Sequence, residues 1–178
     1  MAYNPAQYYV GGGIFKLAEW DGTTPPDIGE LAELGAVSSM ELSPAIDKIE
    51  HETSRLGISA KDDEAVVKTG ASMKIVVDQI NQDVLSMFFL GDKVDTDEVE
   101  LFTNTSQYYA VYFTCANTKG ELWDFYVYKC SVTPSGAYKA ISGKEYNTVE
   151  LTLELLSDAV NHPTGSPFGK AIKMTAAG

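Results

Sequence analysis

T-V-E-L-T-L-E-L, residues 148–155, alternates without a break: Val149, Leu151, Leu153 and Leu155 fall on one side, Thr148, Glu150, Thr152 and Glu154 on the other. Residues two apart on a strand share a face, so the stretch predicts a β-strand with one oily and one acidic side. The same period, bounded by Gly, Pro, Asn and Asp, recurs along the whole chain and predicts an antiparallel sheet.

Upstream lies a hairpin of high aromatic density, residues 99–115 and 121–132, turning near residues 117–120. A register that pairs Cys115 with Leu122 puts Tyr109, Val111 and Phe113 on a face with Tyr126 and Tyr128, and Tyr108, Ala110 and Tyr112 with Trp123, Phe125 and Val127. Both faces are apolar, so one covers the core and the other calls for a cover, as a neighbouring subunit would provide. The same register sets Cys130 opposite Gln107, eight residues from Cys115. At about 3.3 Å per residue that offset is too long for a disulfide, so both cysteines read as buried thiols.

Further outward, a Gly-rich lead-in (Gly11 to Gly13) precedes a strand at residues 14–20, and the loop 21–29 is broken by Gly22, Pro25 and Pro26. An extended segment over residues 34–52 contains Pro44, which lacks a ladder amide and so marks a bend or an edge. Residues 53–65, T-S-R-L-G-I-S-A-K-D-D-E-A, are too polar for a core and link two good strands; they read as a projecting arm. A strand over residues 71–77 sets Met73, Ile75 and Val77 against Ser72 and Lys74. Residues 81–90 form the one helix: Asn81 caps it, Asp83 suits its first turn, Gly91 ends it, and Val84, Leu85, Phe88 and Phe89 make its packing stripe. After Ser157 the chain is rich in breakers and reads as an irregular tail that orders only against something else. The 178 residues form one domain, with the arm at about 53–66 and the tail at about 157–178.

The chemistry expected of an enzyme is missing. His51 and His162 stand in no metal-ligand spacing and read as solvated residues. Gly11 to Gly13 lack the Gly-Lys-Ser/Thr of a phosphate loop, and Asp62, Asp63 and Glu64 lack the alternation of a calcium loop. Glu150 and Glu154 lie about 13 Å apart on a strand, beyond the roughly 9.5 Å that paired-carboxylate glycoside hydrolysis tolerates. A hydrolase therefore ranks low, and no cofactor or metal is expected. A formal charge of -12 disfavours specific nucleic-acid binding. No run reaches the roughly 20 apolar residues of a membrane span, and residues 1–10 lack the flanks of a signal peptide, so a cytosolic origin is expected.

The order of motifs resembles the major tail tube proteins of long-tailed phages. The match runs over roughly residues 9–156: the Gly-rich opening strand with Trp20 and the D-G-T loop, then I-E-H-E-T-S-R-L-G-I-S-A-K-D (residues 49–62), T-G-A-S (residues 69–72), and the helix closing on F-F-L-G (residues 88–91). The tail after Ser157 has no counterpart in that pattern. The resemblance implies two packed antiparallel sheets, a sandwich or half-barrel, with one flanking helix. Six copies would join their sheets into a ring with a continuous inner β-barrel, and rings would stack into a tube that conducts DNA. It implies as partners the chain itself and the tape measure, tail terminator and distal tail proteins, with assembly in the bacterial cytoplasm and a place in the virion. Contractile secretion tubes share this architecture.

On that reading residues 53–66 are the loop between rings and neighbours, with Thr53, Arg55, Leu56, Ile58, Lys61, Asp62 and Asp63 as contact residues. Ordering some 14 residues costs about 14–28 kcal/mol of backbone entropy, so the arm is expected to be mobile in a free monomer and fixed in the tube. Glu41, Asp47, Glu150 and Glu154 are the expected lumen-facing acids. The contrasting reading is a secreted-type β-sandwich that binds carbohydrate through the aromatic hairpin.

Overall fold

The computed structural model describes residues 11–55, 58–117, 121–139 and 147–174. Its elements are β1 (Gly11–Glu19), β2 (Ala32–Glu33), β3 (Val37–Arg55), β4 (Ile58–Val77), α1 (Gln82–Phe89), β5 (Asp92–Asp95), β6 (Glu98–Glu100), β7 (Tyr108–Asn117), β8 (Leu122–Pro134), β9 (Val149–Leu155) and β10 (Gly169–Met174). The protein is mainly β. Where two packed sheets were expected, eight strands form one antiparallel sheet, in the order β2-β1-β7-β8-β9-β4-β3 with β10 also on β8; β5 and β6 pair apart. The reason lies in β8. Its edge away from β7 holds two partners in tandem, β10 along Leu122 to Val127 and β9 along Cys130 to Pro134, which joins all the strands into one surface.

That sheet is rolled. β2 and β3 stand at opposite ends of the strand order, yet only residues 34–36 separate them, a span of at most about 15 Å at 3.8 Å per Cα step. The bridge is bonded to both ends: the Leu34 amide donates to the Phe15 carbonyl (3.1 Å), and the Asp78 amide donates to the Ala36 carbonyl (2.9 Å). Phe15 and Leu17 of β1 therefore share one core with Met73, Ile75 and Val77 of β4 and with Val149, Leu151 and Leu153 of β9. Each such side chain contributes about 1.5–3 kcal/mol on burial.

α1 lies against this inner face. Asn81 caps it, accepting from the Val84 amide (2.9 Å) and donating to the Leu34 carbonyl (2.8 Å), so the cap also fixes the helix to the bridge. Val84, Met87 and Phe88 are buried in the core and Phe89 packs at its margin. Leu85, expected in the stripe, is only half-buried and Met87 holds the central place, because residues 84, 87 and 88 make the i, i+3, i+4 arc that meets the sheet. Leu90, not Gly91, takes the left-handed turn (φ 47°), and the Gly91 amide donates to the Ser86 carbonyl (2.9 Å). Gly91 is needed for another reason: a Cβ there would lie 2.0 Å from the Glu100 carbonyl oxygen.

Several expectations are corrected. Gly11 to Gly13 belong to β1 and pair with β7; a Cβ at Gly13 would meet the Thr114 carbonyl at 2.3 Å, so Gly13 serves close strand approach, while a Cβ at Gly12 would meet nothing within 4 Å. In the aromatic hairpin Phe113 pairs with Phe125 and Tyr109 with Cys130, with a shift between Tyr109 and Val111. Up to Val111 that register is one residue from the expected one, and a slip of one exchanges faces; beyond the shift Tyr109 is two residues from it. Tyr109, Val111 and Phe113 thus share the core face with Val127 and Cys130, while Ala110, Tyr112, Tyr126 and Tyr128 share the other. Cys130 is a buried free thiol; the Cys115 side chain lies outside the described residues. The tail is irregular only to Phe168, after which β10 pairs along β8.

Candidate functional site

The outer face of the rolled sheet divides into two chemistries. Over β8, β7 and β1 it carries Tyr112, Tyr126, Tyr128 and Ala110, packed under Leu31 and beside Ala18. No neighbouring subunit is needed to cover it, contrary to expectation, because two of the chain's own loops do so. The Tyr126 hydroxyl donates to the Pro26 carbonyl in the loop before β2, and the Tyr112 hydroxyl donates to buried Asp124. Tyr128 stacks on His162 with ring centroids 3.6 Å apart, and Asn161 donates to the Thr23 carbonyl (3.2 Å), tying one loop to the other. His162 is therefore packed, not solvated: Asp158, itself buried, lies 3.2 Å from its Nδ1 and turns the ring onto the tyrosine. The aromatic platform that the carbohydrate reading needs is largely beneath these loops.

Over β9, β4 and β3 the same face is bare. With Leu151, Leu153, Met73 and Ile75 pointing into the core, Glu150, Thr152 and Glu154 point away from it, as do Ser72 and Lys74 on β4. Glu41 stands opposite Lys74, Ser43 opposite Ser72, Ala45 opposite Gly70, and Asp47 opposite Lys68, with no register shift among them. Glu41, Asp47, Glu150 and Glu154 thus lie on one face, among small residues continued on β8 by Ser131 and Thr133. Two lysines share that face. Lys74 Nζ lies 2.9 Å from Glu150 Oε1, so four carboxylates stand against two ammonium groups and the face is mildly acidic. The alternation around Met73 and Ile75 does put Lys74 on the polar side. Its partner comes from a strand some 75 residues on, which no local pattern reveals.

From Pro44 and Ala71 outward, β3 and β4 pair only with each other, since β9 reaches no further than Ser72. β3 is an edge strand, as its proline requires. The expected loop at residues 53–66 is in its described parts a continuation of this ladder, so the protrusion is a regular hairpin that begins nearer Pro44. At about 3.3 Å per residue it reaches roughly 40 Å. Its sides are laced by ion contacts at 2.6 Å: Lys48 with Glu64, Lys61 with Glu50 and Glu64, and His51 with Asp62. The two lysines hold the Glu64 carboxyl below its ordinary range, and the two glutamates raise Lys61. Asp63 stands opposite His51 and accepts from the Glu64 amide (2.8 Å). Ile46, Ile49, Val66 and Val67 are each more than half exposed. Thr53, Arg55 and Ile58 are placed on the ladder by their backbone alone, and Leu56 lies outside the described residues.

Among the described residues no cluster of His, Cys, Asp and Glu could hold a metal ion, and no helix is long and apolar enough to cross a membrane. The fold and these surfaces define a mainly β protein with one rolled antiparallel sheet, a bare polar face and a long hairpin arm. A family model described as "Protein of unknown function UCP028589" matches residues 8–98, just over half of the chain, and the chain belongs to that family. The matched part holds β1 to β5, and so the arm, the helix and two of the three strands of the bare face. No curated protein matches the sequence.

Proposed function

We propose that this chain is a structural subunit of a phage tail tube, in which six copies join edge to edge into a ring with a continuous inner β-barrel and stacked rings conduct DNA. The observation that carries this reading is the bare face of β9, β4 and β3 together with the free edge that bounds it. β3 is 19 residues long and ends the strand order, so its outer amides and carbonyls have no strand partner among the described residues. So long an edge is a template for pairing, and a closed ring of copies removes every such edge at once.

Set on the inner wall, the bare face has the properties a conduit needs. A duplex carries about one negative charge per 1.7 Å, so a wall rich in free lysine would hold it at every layer in a salt-dependent way. Here Lys74 is engaged by Glu150, and Glu41, Asp47 and Glu154 leave an acidic excess. Repulsion over about 8 Å keeps DNA off a close wall without gripping it. The hairpin arm, with its exposed Ile46, Ile49, Val66 and Val67, reaches neighbours and the adjoining ring. The role is structural rather than catalytic; the tape measure protein would meet the lumen and the terminator and distal tail proteins the tube ends. The protein would assemble in the bacterial cytoplasm and act in the virion.

Cross-linking of mixed isotope-labelled and unlabelled protein tests this reading. We expect links between copies from Lys48 and Lys68 that grow with concentration. Links only within single copies, at every concentration and with tail partners present, would overturn it.

A further inference from the structure

Phe102 is 73% exposed, and its backbone is left-handed (φ 60°), a conformation rare for a bulky residue and kept only where the surroundings impose it. Here they do. Its amide donates to the Phe89 carbonyl (3.0 Å), and its ring meets that of Phe89 edge-on with centroids 5.7 Å apart. The phenyl group is thus held out from the end of α1 as a fixed knob, with Leu101 next to it more than half exposed. The β5-β6 hairpin that leads into it carries Asp92, Asp95, Asp97, Glu98 and Glu100 against one lysine, Lys93, which Glu19 (3.1 Å) and Asp83 (2.9 Å) engage.

An apolar pocket of about 200 Å3 opens toward the other end of β8, lined by Leu42, Phe125, Leu155, Phe168 and Ala171. It exists because β9 stops at Leu155 and β10 starts only at Gly169 along the same edge of β8, which leaves the rim of the core open between them. Phe125 and Leu155 pack against that core and also line the pocket. A cavity of roughly 150 Å3 holds a benzene molecule, so this one has room for a phenyl group. Lys170 completes the lining, its Nζ 5.9 Å from the Tyr126 ring centre, and residues 163–178 carry lysines but no acid.

Phe102 cannot reach the pocket of its own chain. The Val132 amide donates to the Gln107 carbonyl (3.2 Å), which keeps the segment around Phe102 near the Pro134 end of β8. Phe125 lies seven strand residues from Val132, roughly 23 Å away. A knob rimmed by acids at one end and an apolar pocket rimmed by lysine at the other fit two copies head to tail, and a contact of that kind repeats without closing on itself. We propose that Phe102 of one copy seats in the pocket between Leu42, Phe125 and Ala171 of a second copy, as a contact between stacked rings. That it joins rings rests on the tube reading; that it joins two copies does not.

The test places the photo-cross-linker p-benzoylphenylalanine at residue 102 or, in a second sample, at residue 166 on the pocket rim, in full-length protein mixed from isotope-labelled and unlabelled copies across a concentration series. We expect reciprocal links between copies, from residue 102 to the peptides holding Leu42, Leu155 or Phe168, and from residue 166 to the peptide holding Leu101 and Phe102. Phe102→Ala in the partner copy, and Lys170→Glu on the pocket rim, should lower the linked fraction from residue 166 tenfold or more while the thermal midpoint stays within a few degrees. Links confined to single copies, links from residue 102 only to sites outside the pocket, or linking undiminished by Phe102→Ala overturns the proposal. Tubes that form without the reciprocal links would sink this contact and leave the tube reading standing, whereas the links without rings or tubes would do the reverse.

Discussion

Lys74 and Glu150 meet across the bare face, Nζ to Oε1 at 2.9 Å, and tie β4 to β9 in the middle of the surface proposed to face DNA. Both side chains are close to half exposed, so the pair contributes no more than about 1 kcal/mol to folding. Its weight is in the charge it removes from the wall. Replacing Glu150 and Glu154 by lysine should change stability by less than about 1 kcal/mol, yet leave particles that eject DNA slowly and more slowly still at low salt. Ejection kinetics of particles with the reversed tube check this; unchanged kinetics would remove the electrostatic part of the account.

The arm should be dispensable for folding and necessary for assembly. Every described side chain from Pro44 to Thr69 is exposed, so joining the cross-strand partners Asp47 and Lys68 through an Asn-Gly turn removes no core contact. We expect the thermal midpoint to stay within a few degrees while tube formation is lost. Amide exchange on the intact monomer gives a second reading: the paired ladder should protect arm amides that a mobile loop would expose.

Burial pushes the Cys130 thiol up to about 12, and burial, with the Asp27 carboxylate nearby, pushes Tyr126 to about 12 as well. Unfolded, these groups lose their protons near their ordinary values of 9.0 and 10.0. Between those values and about 12 the folded chain therefore holds protons that the unfolded chain has shed, so stability falls as pH rises through this window. Urea titrations at a series of alkaline pH values should show midpoints declining above about pH 9. In a Cys115→Ser variant near neutral pH, a thiol reagent should reach Cys130 only on unfolding.

Gly91 and Leu90 should respond in opposite ways. Alanine at Gly91 drives a Cβ into the Glu100 carbonyl and should cost about 2 kcal/mol or more. Glycine at Leu90 relieves a left-handed turn that costs a leucine about 1–2 kcal/mol, offsetting the lost side-chain packing, so the change should stay within about 1 kcal/mol. Urea denaturation of the two variants separates them.

What could be read from the sequence, and what could not, follows from where each constraint originates. β9 was legible because its two sides differ in chemistry, and α1 because Asn81, Val84 and Phe88 fall at helix spacing. The Tyr109 to Cys130 pairing was not: both faces of the β7-β8 hairpin are apolar, so alternation carries no register, and the shift beside Val111 displaces it by one. β10 was hidden because its partner is β8, reached only after residues 157–168 leave that edge at Leu156 and return at Phe168. Of the four acids of the bare face, Glu150 and Glu154 were legible from alternation, whereas Glu41 and Asp47 were named only on the tail-tube reading. Lys68 and Lys74, which temper them, needed the pairing of distant strands.

The most direct test of the central claim is electron microscopy of the purified protein across a concentration series, repeated with distal tail protein added as an initiator. The account predicts six-fold rings and hollow tubes, with the arms bridging adjacent rings. Particles that stay monomeric at every concentration, with and without the initiator, would contradict it.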